Sequence, residues 1–189
     1  MTIRLRAIEP QDLTLLQHWR NSDSVFPFVR EFRLLGSEDQ RKWFDSYQKQ
    51  RRDSDWGQEL MIISQKTDKR ILNIYDGMAS KVEDVYEDVG VGGFVRIEWR
   101  NRRAEFSFYS IGGSKKEQIL ELLRKGFYDF NFNKINWPVY GHDPNISTYR
   151  DIFREEAILK EEYFWDGKYQ DRHYLSLTKK EFDNLLILI

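Results

Sequence analysis

Ile3, Leu5 and the Ala7-Ile8 pair alternate with Arg4 and Arg6, the pattern of a strand with one buried face. From Pro10 or Gln11 to about Asn21 the period changes. Leu13, Leu16 and Trp19 or Arg20 recur at helical spacing, and Pro10 suits a first helical turn. Ser37-Glu38-Asp39-Gln40 reads as a capping box, and Trp43, Phe44 and Tyr47 mark the buried stripe of the helix it opens. Leu60 to Gln65 reads as a strand. Between Lys66 and Asp88 the pattern wavers: Ile71 to Tyr75 suits a strand, whereas Asp76 to Asp88 reads as an acidic, irregular loop.

Val89 to Trp99 and Arg102 to Ile111 predict a hairpin turning at Arg100-Asn101. Ser114-Lys115-Lys116-Glu117 is a second capping box, followed by a helical stripe of Ile119, Leu122, Leu123, Phe127 and Phe130. Ile135 to Tyr140 is a strand carrying Pro138, which belongs at an edge, a bulge or a splay. Asp143-Pro144-Asn145 opens a short helix expected to run to about Arg154. Ile158 to Trp165 and Arg172 to Leu177 predict a hairpin across Asp166-Gly167-Lys168. Thr178-Lys179-Lys180-Glu181 caps a last helix ending in Leu185 to Ile189. That apolar tail is expected to pack on the domain or on a second copy in a homodimer. The order β-α-α-β-β-β-α-β-α-β-β-α implies an α/β (α+β) single domain over residues 1–189, with a mixed, mostly antiparallel twisted sheet flanked by helices.

Composition narrows the classes. Thirty basic and 31 acidic residues give a formal charge of −1, so no overall field favours nucleic acid or a membrane surface. With no cysteine there is no disulfide, thiolate metal site or cysteine nucleophile, and His18, His142 and His173 are too scattered to suggest a metal cluster. No signal-peptide core and no apolar run of about 18 residues is present, so a cytoplasmic protein without a membrane segment is expected.

The run from Arg102 through Gly112-Gly113-Ser114 into a helix carries the clearest chemical signal. A helix N-terminus presents free backbone N–H groups, to which a phosphate binds. The competing reading is a tight turn into a capped helix, with Ser114 and Glu117 consuming some of those groups.

Four segments resemble the GNAT superfamily of acyl-CoA N-acyltransferases, nearest to its ribosomal-protein and spermidine N-acetyltransferase branch. They are Ile3 to Ala7 with Pro10 to Leu13 and Trp19-Arg20-Asn21; Asn101 to Phe106; Tyr149-Arg150-Asp151-Ile152-Phe153; and Tyr163 to Asp171. They follow the family order across nearly the whole chain. The resemblance implies a GNAT-like domain with acetyl-CoA as co-substrate, no metal, and a small-molecule or peptide amine as acceptor. It also implies a splayed, bulged fourth strand. Along it Phe108, Tyr109 and Ser110 would flank the pantetheine arm, and Gly112, Gly113, Ser114 and Lys115 would face the pyrophosphate. Tyr149 would protonate the departing thiolate, and Glu105 would act as base, directly or through water, or be a structural strand glutamate. Asn145 would hydrogen-bond the cofactor or cap its helix. Trp19, Arg20 and Asn21 would lie near the acceptor, with Arg20 contacting an acidic substrate group or satisfying a helix C-terminus. The acidic loop would attract a polyamine or basic peptide, or be a solvated loop. The family's cofactor loop is cut down here to Gly112-Gly113-Ser114-Lys115-Lys116. Two alternatives therefore stand beside the transferase: a GNAT-fold binding or assembly module without catalysis, and an acyltransferase using another donor.

Overall fold

The computed structural model describes residues 2–28, 33–53, 56–75 and 78–188. Seven strands form one sheet in the order β1-β2-β3-β4-β5-β7-β6: β1 Ile3–Ala7, β2 Trp56–Tyr75, β3 Met78–Glu98, β4 Arg103–Ser110, β5 Lys134–Tyr140, β6 Arg154–Trp165 and β7 Lys168–Thr178. Every pairing is antiparallel except β4 with β5. The helices are α1 Leu13–Arg20, α2 Ser37–Asp53, α3 Lys115–Arg124, α4 Ile146–Arg150 and α5 Lys179–Leu188.

Strand β2 shows why the sheet is covered on both faces. Leu60 and Ile62 join Leu16, Trp19, Phe44 and Tyr47 of α1 and α2, while Met61 and Ile63 join Ile119, Leu122 and Phe182 of α3 and α5. A continuous apolar run is what a strand buried on both faces requires. Tyr47 locks α2 to it: its hydroxyl donates to the Leu60 carbonyl at 3.0 Å and accepts the Leu60 N–H at 3.3 Å.

Several expected boundaries move. Residues 78–88 lie in β3, opposite β2, rather than in a loop. Their carboxylates looked loop-like in sequence because their partners sit across the ribbon. Asp84 is 2.7 Å from Lys66, Glu87 is 3.1 Å from Lys69, and Asp88 accepts from Arg6 and Ser64. Asp76 lies outside the described residues. Helix α4 stops at Arg150, not near Arg154, which already begins β6. Its last turn closes as the Phe153 N–H donates to the Tyr149 carbonyl at 2.8 Å, burying Ile152 and Phe153 in the core. The cap of α2 is shifted by one residue, since the Asp39 carboxylate accepts the Gly36 N–H at 2.9 Å. Thr178 and Glu181 form the reciprocal box expected, whereas the Ser114 box forms by half: Ser114 Oγ accepts the Glu117 N–H, but the Ser114 N–H goes to Gln65. Of the apolar tail, Leu185 and Leu186 pack on the core, whereas Ile187 and Leu188 are both 82% exposed.

Asp12 anchors the β1–α1 corner. It accepts Arg6 Nη1 at 2.8 Å, Arg6 Nη2 at 2.9 Å and the Glu9 N–H at 2.8 Å. Those bonds, Arg6 foremost, hold its carboxyl below the usual carboxylate range. A carboxyl depressed in the fold contributes stability that is present above its unfolded value and lost as pH falls through the folded one. Asp12→Asn is therefore expected to cost about 1–3 kcal/mol at pH 7 in urea unfolding. The gap from wild type should narrow below about pH 4. A gap independent of pH would remove the electrostatic explanation.

Candidate active site

Strands β4 and β5 share only three paired positions, Arg103 with Lys134, Ala104 with Ile135 and Glu105 with Asn136, and then part. Pro138 sits just past the last pair and still pairs with Tyr174 of β7, so the proline falls at a splay. On its other side β4 remains fully paired from Glu105 to Ser110. Contrary to expectation, no bulge lies on that part of β4. The irregularity lies across from it on β3, between Val95 and Glu98, where Arg96 takes φ 49°.

The Ile111 N–H donates to Val89 of β3 at 2.8 Å. Alternation along an antiparallel strand then turns the main-chain groups of Tyr109 and Ser107 toward β3, and those of Phe108 and Ser110 toward the splay. Backbone donors thus line an opening in mid-sheet.

The splay holds a small cavity of about 60 Å³ that brings together Phe108, Tyr109, Ser110, Lys115, Asn145 and Tyr149. Tyr149 is 4% exposed, its ring 4.2 Å from that of Trp137. Its hydroxyl donates to Asp143 Oδ2 at 3.2 Å. Burial, reinforced by the Asp143 charge, raises this phenol well above its ordinary range. Asn145 supplies no side-chain cap to α4; its Nδ2 donates instead to Asp143 Oδ1 at 2.9 Å. Asp143 is thus the hub of this corner. The sequence marks Asp143-Pro144-Asn145 as the opening of a short helix and Asn145 as its candidate cap; the signal for Asp143 is an Asp whose side chain takes the N–H two residues on.

The glycine turn is closed from an unexpected side. Gln65 Oε1, from β2, accepts the Ser114 N–H at 3.2 Å and lies 3.4 Å from Gln118 Nε2, which also donates to the Gly112 carbonyl at 2.8 Å. Gly113 has φ 74°, and a Cβ there would collide with Gln65, so both backbone and space demand glycine. Ser114 Oγ takes the Glu117 N–H. The amides of Lys115 and Lys116 remain at the start of α3. Gln65 gave no sequence signal, because its role depends on a contact 49 residues away.

Beside the splay lies a larger cleft of about 930 Å³ between the sheet and the α1–α2 side. Arg20, Glu105, Phe106 and Tyr109 line it, as do Trp137, Pro138, Tyr140 and Arg172. The Glu105 carboxylate, on the cleft wall, is 2.7 Å from Arg96 Nη1. Trp19 is 3% exposed, edge-on to Tyr109, and the Asn21 side chain bonds both main-chain groups of Leu35. These two residues therefore support the cleft wall, and Arg20 alone of the three lines it. Among the described residues no cluster of His, Asp and Glu could hold a metal, and no helix is long and apolar enough to cross a membrane.

A spermidine N-acetyltransferase from Vibrio cholerae, solved with CoA and spermine, superposes with a TM-score of 0.76 at 20% identity, over 96% of this chain and 98% of that one. The chain has the GNAT fold. A dodecameric structure of the Vibrio enzyme in an intermediate state shares that GNAT fold with this chain at TM-score 0.69 and 22% identity, over 96% of each. In sequence, the chain is 25% identical over 189 residues to the SPbeta prophage-derived uncharacterized N-acetyltransferase YokL of Bacillus subtilis strain 168. That alignment covers 96% of this chain and 92% of YokL. No protein-family model matches the chain. Within the GNAT fold, the β4/β5 splay and the glycine turn before α3 are the two places where the sequence reading put the acyl donor.

Proposed function

We propose that the protein transfers an acetyl group from acetyl-CoA to a primary amine by direct attack. The splay carries this reading. It offers the backbone N–H groups of Phe108 and Ser110 beside a buried tyrosine hydroxyl, and it adjoins a cleft large enough for an acceptor. The homology to YokL and the GNAT fold support it. In the reaction the amine nitrogen bonds to the thioester carbonyl carbon, the C–S bond breaks, the departing thiolate takes a proton from solvent, and the nitrogen gives up its own. Glu105 receives that proton from the amine, directly or through water. Main-chain N–H groups of the splay stabilise the carbonyl oxygen as charge develops on it. Tyr149 faces the departing sulfur. Pantetheine lies along Phe108, Tyr109 and Ser110, and the pyrophosphate meets Gly112 to Lys115 and the Lys116 amide. A cytoplasmic setting fits this chemistry, and the exposed Ile187 and Leu188 support self-association into a homodimer.

Phe108 and Ser110 offer main-chain donors along the pantetheine arm, whereas Gln65 occupies part of the end where the pyrophosphate would lie. Calorimetry with acetyl-CoA is expected to give a dissociation constant in the micromolar range, as for ordinary co-substrates. Gln65→Ala, which frees the Ser114 N–H, should tighten binding by about tenfold, the worth of one charge-assisted hydrogen bond. Absence of acetyl-CoA binding to both proteins would leave the binding-module or other-donor reading in its place.

A further inference from the structure

Resting on that reading of the cleft as the acceptor site, we infer that the acceptor is an amine that also carries an anionic group, a phosphate or carboxylate, held by Arg20 and Arg172. The described cleft lining carries Arg20, Arg33, Lys42, Arg96 and Arg172 against two acids, Asp39 and Glu105. Both acids already have partners: Asp39 accepts the Gly36 N–H, and Glu105 pairs with Arg96.

The two arginines from opposite walls differ. Arg20 ends α1, and Arg172 lies on β7 under the rings of Tyr140, 5.0 Å away, and Tyr163, 6.0 Å away. The Nε atoms of both are buried with no hydrogen-bond acceptor. Arg172 Nη1 pairs with the Glu162 carboxylate at 3.8 Å and the guanidinium is in reach of the Tyr140 and Tyr174 hydroxyls, so Nε is the arm left without an acceptor. A buried donor without an acceptor is costly, and a guanidinium fork is shaped for two oxygens of one carboxylate or phosphate. Two such forks in one cleft supply what an anionic ligand group needs. They oppose a polyamine, whose several positive charges would meet a positive wall.

Matched pairs of acceptors test this. Glucosamine 6-phosphate against glucosamine isolates a phosphate, and γ-aminobutyrate against butylamine isolates a carboxylate; spermidine is the cationic extreme. Thiol release from acetyl-CoA is expected to favour the anionic member of at least one pair by about 10- to 100-fold in kcat/KM, with spermidine poorest. The favoured pair tells phosphate from carboxylate. Arg20→Gln and Arg172→Gln should each collapse that preference, mainly through KM. Should a glutamine variant not fold, the corresponding Arg→Lys, which keeps charge but not the fork, should give an intermediate preference.

Calorimetric binding of the same amines without acetyl-CoA reads the arginines independently of transfer. Binding that follows charge, without turnover of any amine, would sink the transferase reading and leave the anion site standing. Equal handling of charged and uncharged members in both assays, or a preference for spermidine, would overturn the inference.

Discussion

Tyr149→Phe is expected to lower kcat by roughly 10²–10³-fold while leaving acetyl-CoA affinity and unfolding midpoint nearly unchanged. The ring would still fill its place against Trp137, so only the hydroxyl is lost. The size of the effect follows from what this hydroxyl can give. An alkyl thiol titrates near 8.5, whereas burial and Asp143 raise the phenol well above its ordinary value of about 10. Full transfer of its proton to the thiolate therefore runs uphill. Under the proposed transfer, Tyr149 acts as a hydrogen-bond donor to developing negative charge on sulfur rather than as the acid that the family resemblance implies. Either role leaves kcat without a basic limb from Tyr149 up to about pH 10, because the raised phenol keeps its proton in the free enzyme throughout; a basic limb assigned to Tyr149 below that pH would overturn the raised value. A variant with more than half of wild-type turnover would remove Tyr149 from the chemistry.

The second large effect concerns the wall of the splay. Phe106 is 2% exposed and its ring lies 4.9 Å from Trp137, 5.8 Å from Phe153 and 6.0 Å from Phe94. It follows directly after the last β4–β5 pair, so its ring contacts take over where the main-chain ladder stops. Phe106→Ala is expected to cost about 3–5 kcal/mol in denaturant unfolding, through lost burial and a residual cavity. Phe106→Leu should cost distinctly less. A loss below about 1 kcal/mol for the alanine variant would mean that these contacts do not hold the parted strands.

How far the chain was legible depended on where the information lay. Strand β4 could be read because its alternation is local, whereas Pro138 narrowed its surroundings only to an edge, a bulge or a splay, and the resemblance alone implied the splay. The ribbon of β2 and β3 defeated the same reading. Asp84 and Glu87 look like solvated loop residues until Lys66 and Lys69 face them, and nothing local shows that pairing. Helix α4 was overextended because Ile152 and Phe153 continue an apolar run that serves the core rather than a helix face. In the site, Tyr149, Asn145, Ser110 and Lys115, which the resemblance puts at the acyl donor, share one cavity. Gln65 and Arg172 are not legible because they act through partners that only folding brings near, whereas Asp143 bonds Asn145 and Tyr149 within six residues, a local signal.

The opening between β4 and β5 has a consequence for how such a site persists as sequences diverge. The donors of Phe108 and Ser110 are main-chain groups, so their presence depends on strand pairing and not on which side chains stand there. Substitution along β4 can proceed while the alternation holds, leaving the same amides in the slot. A chain at 20% identity to a solved spermidine N-acetyltransferase can then keep that fold although no protein-family model matches it.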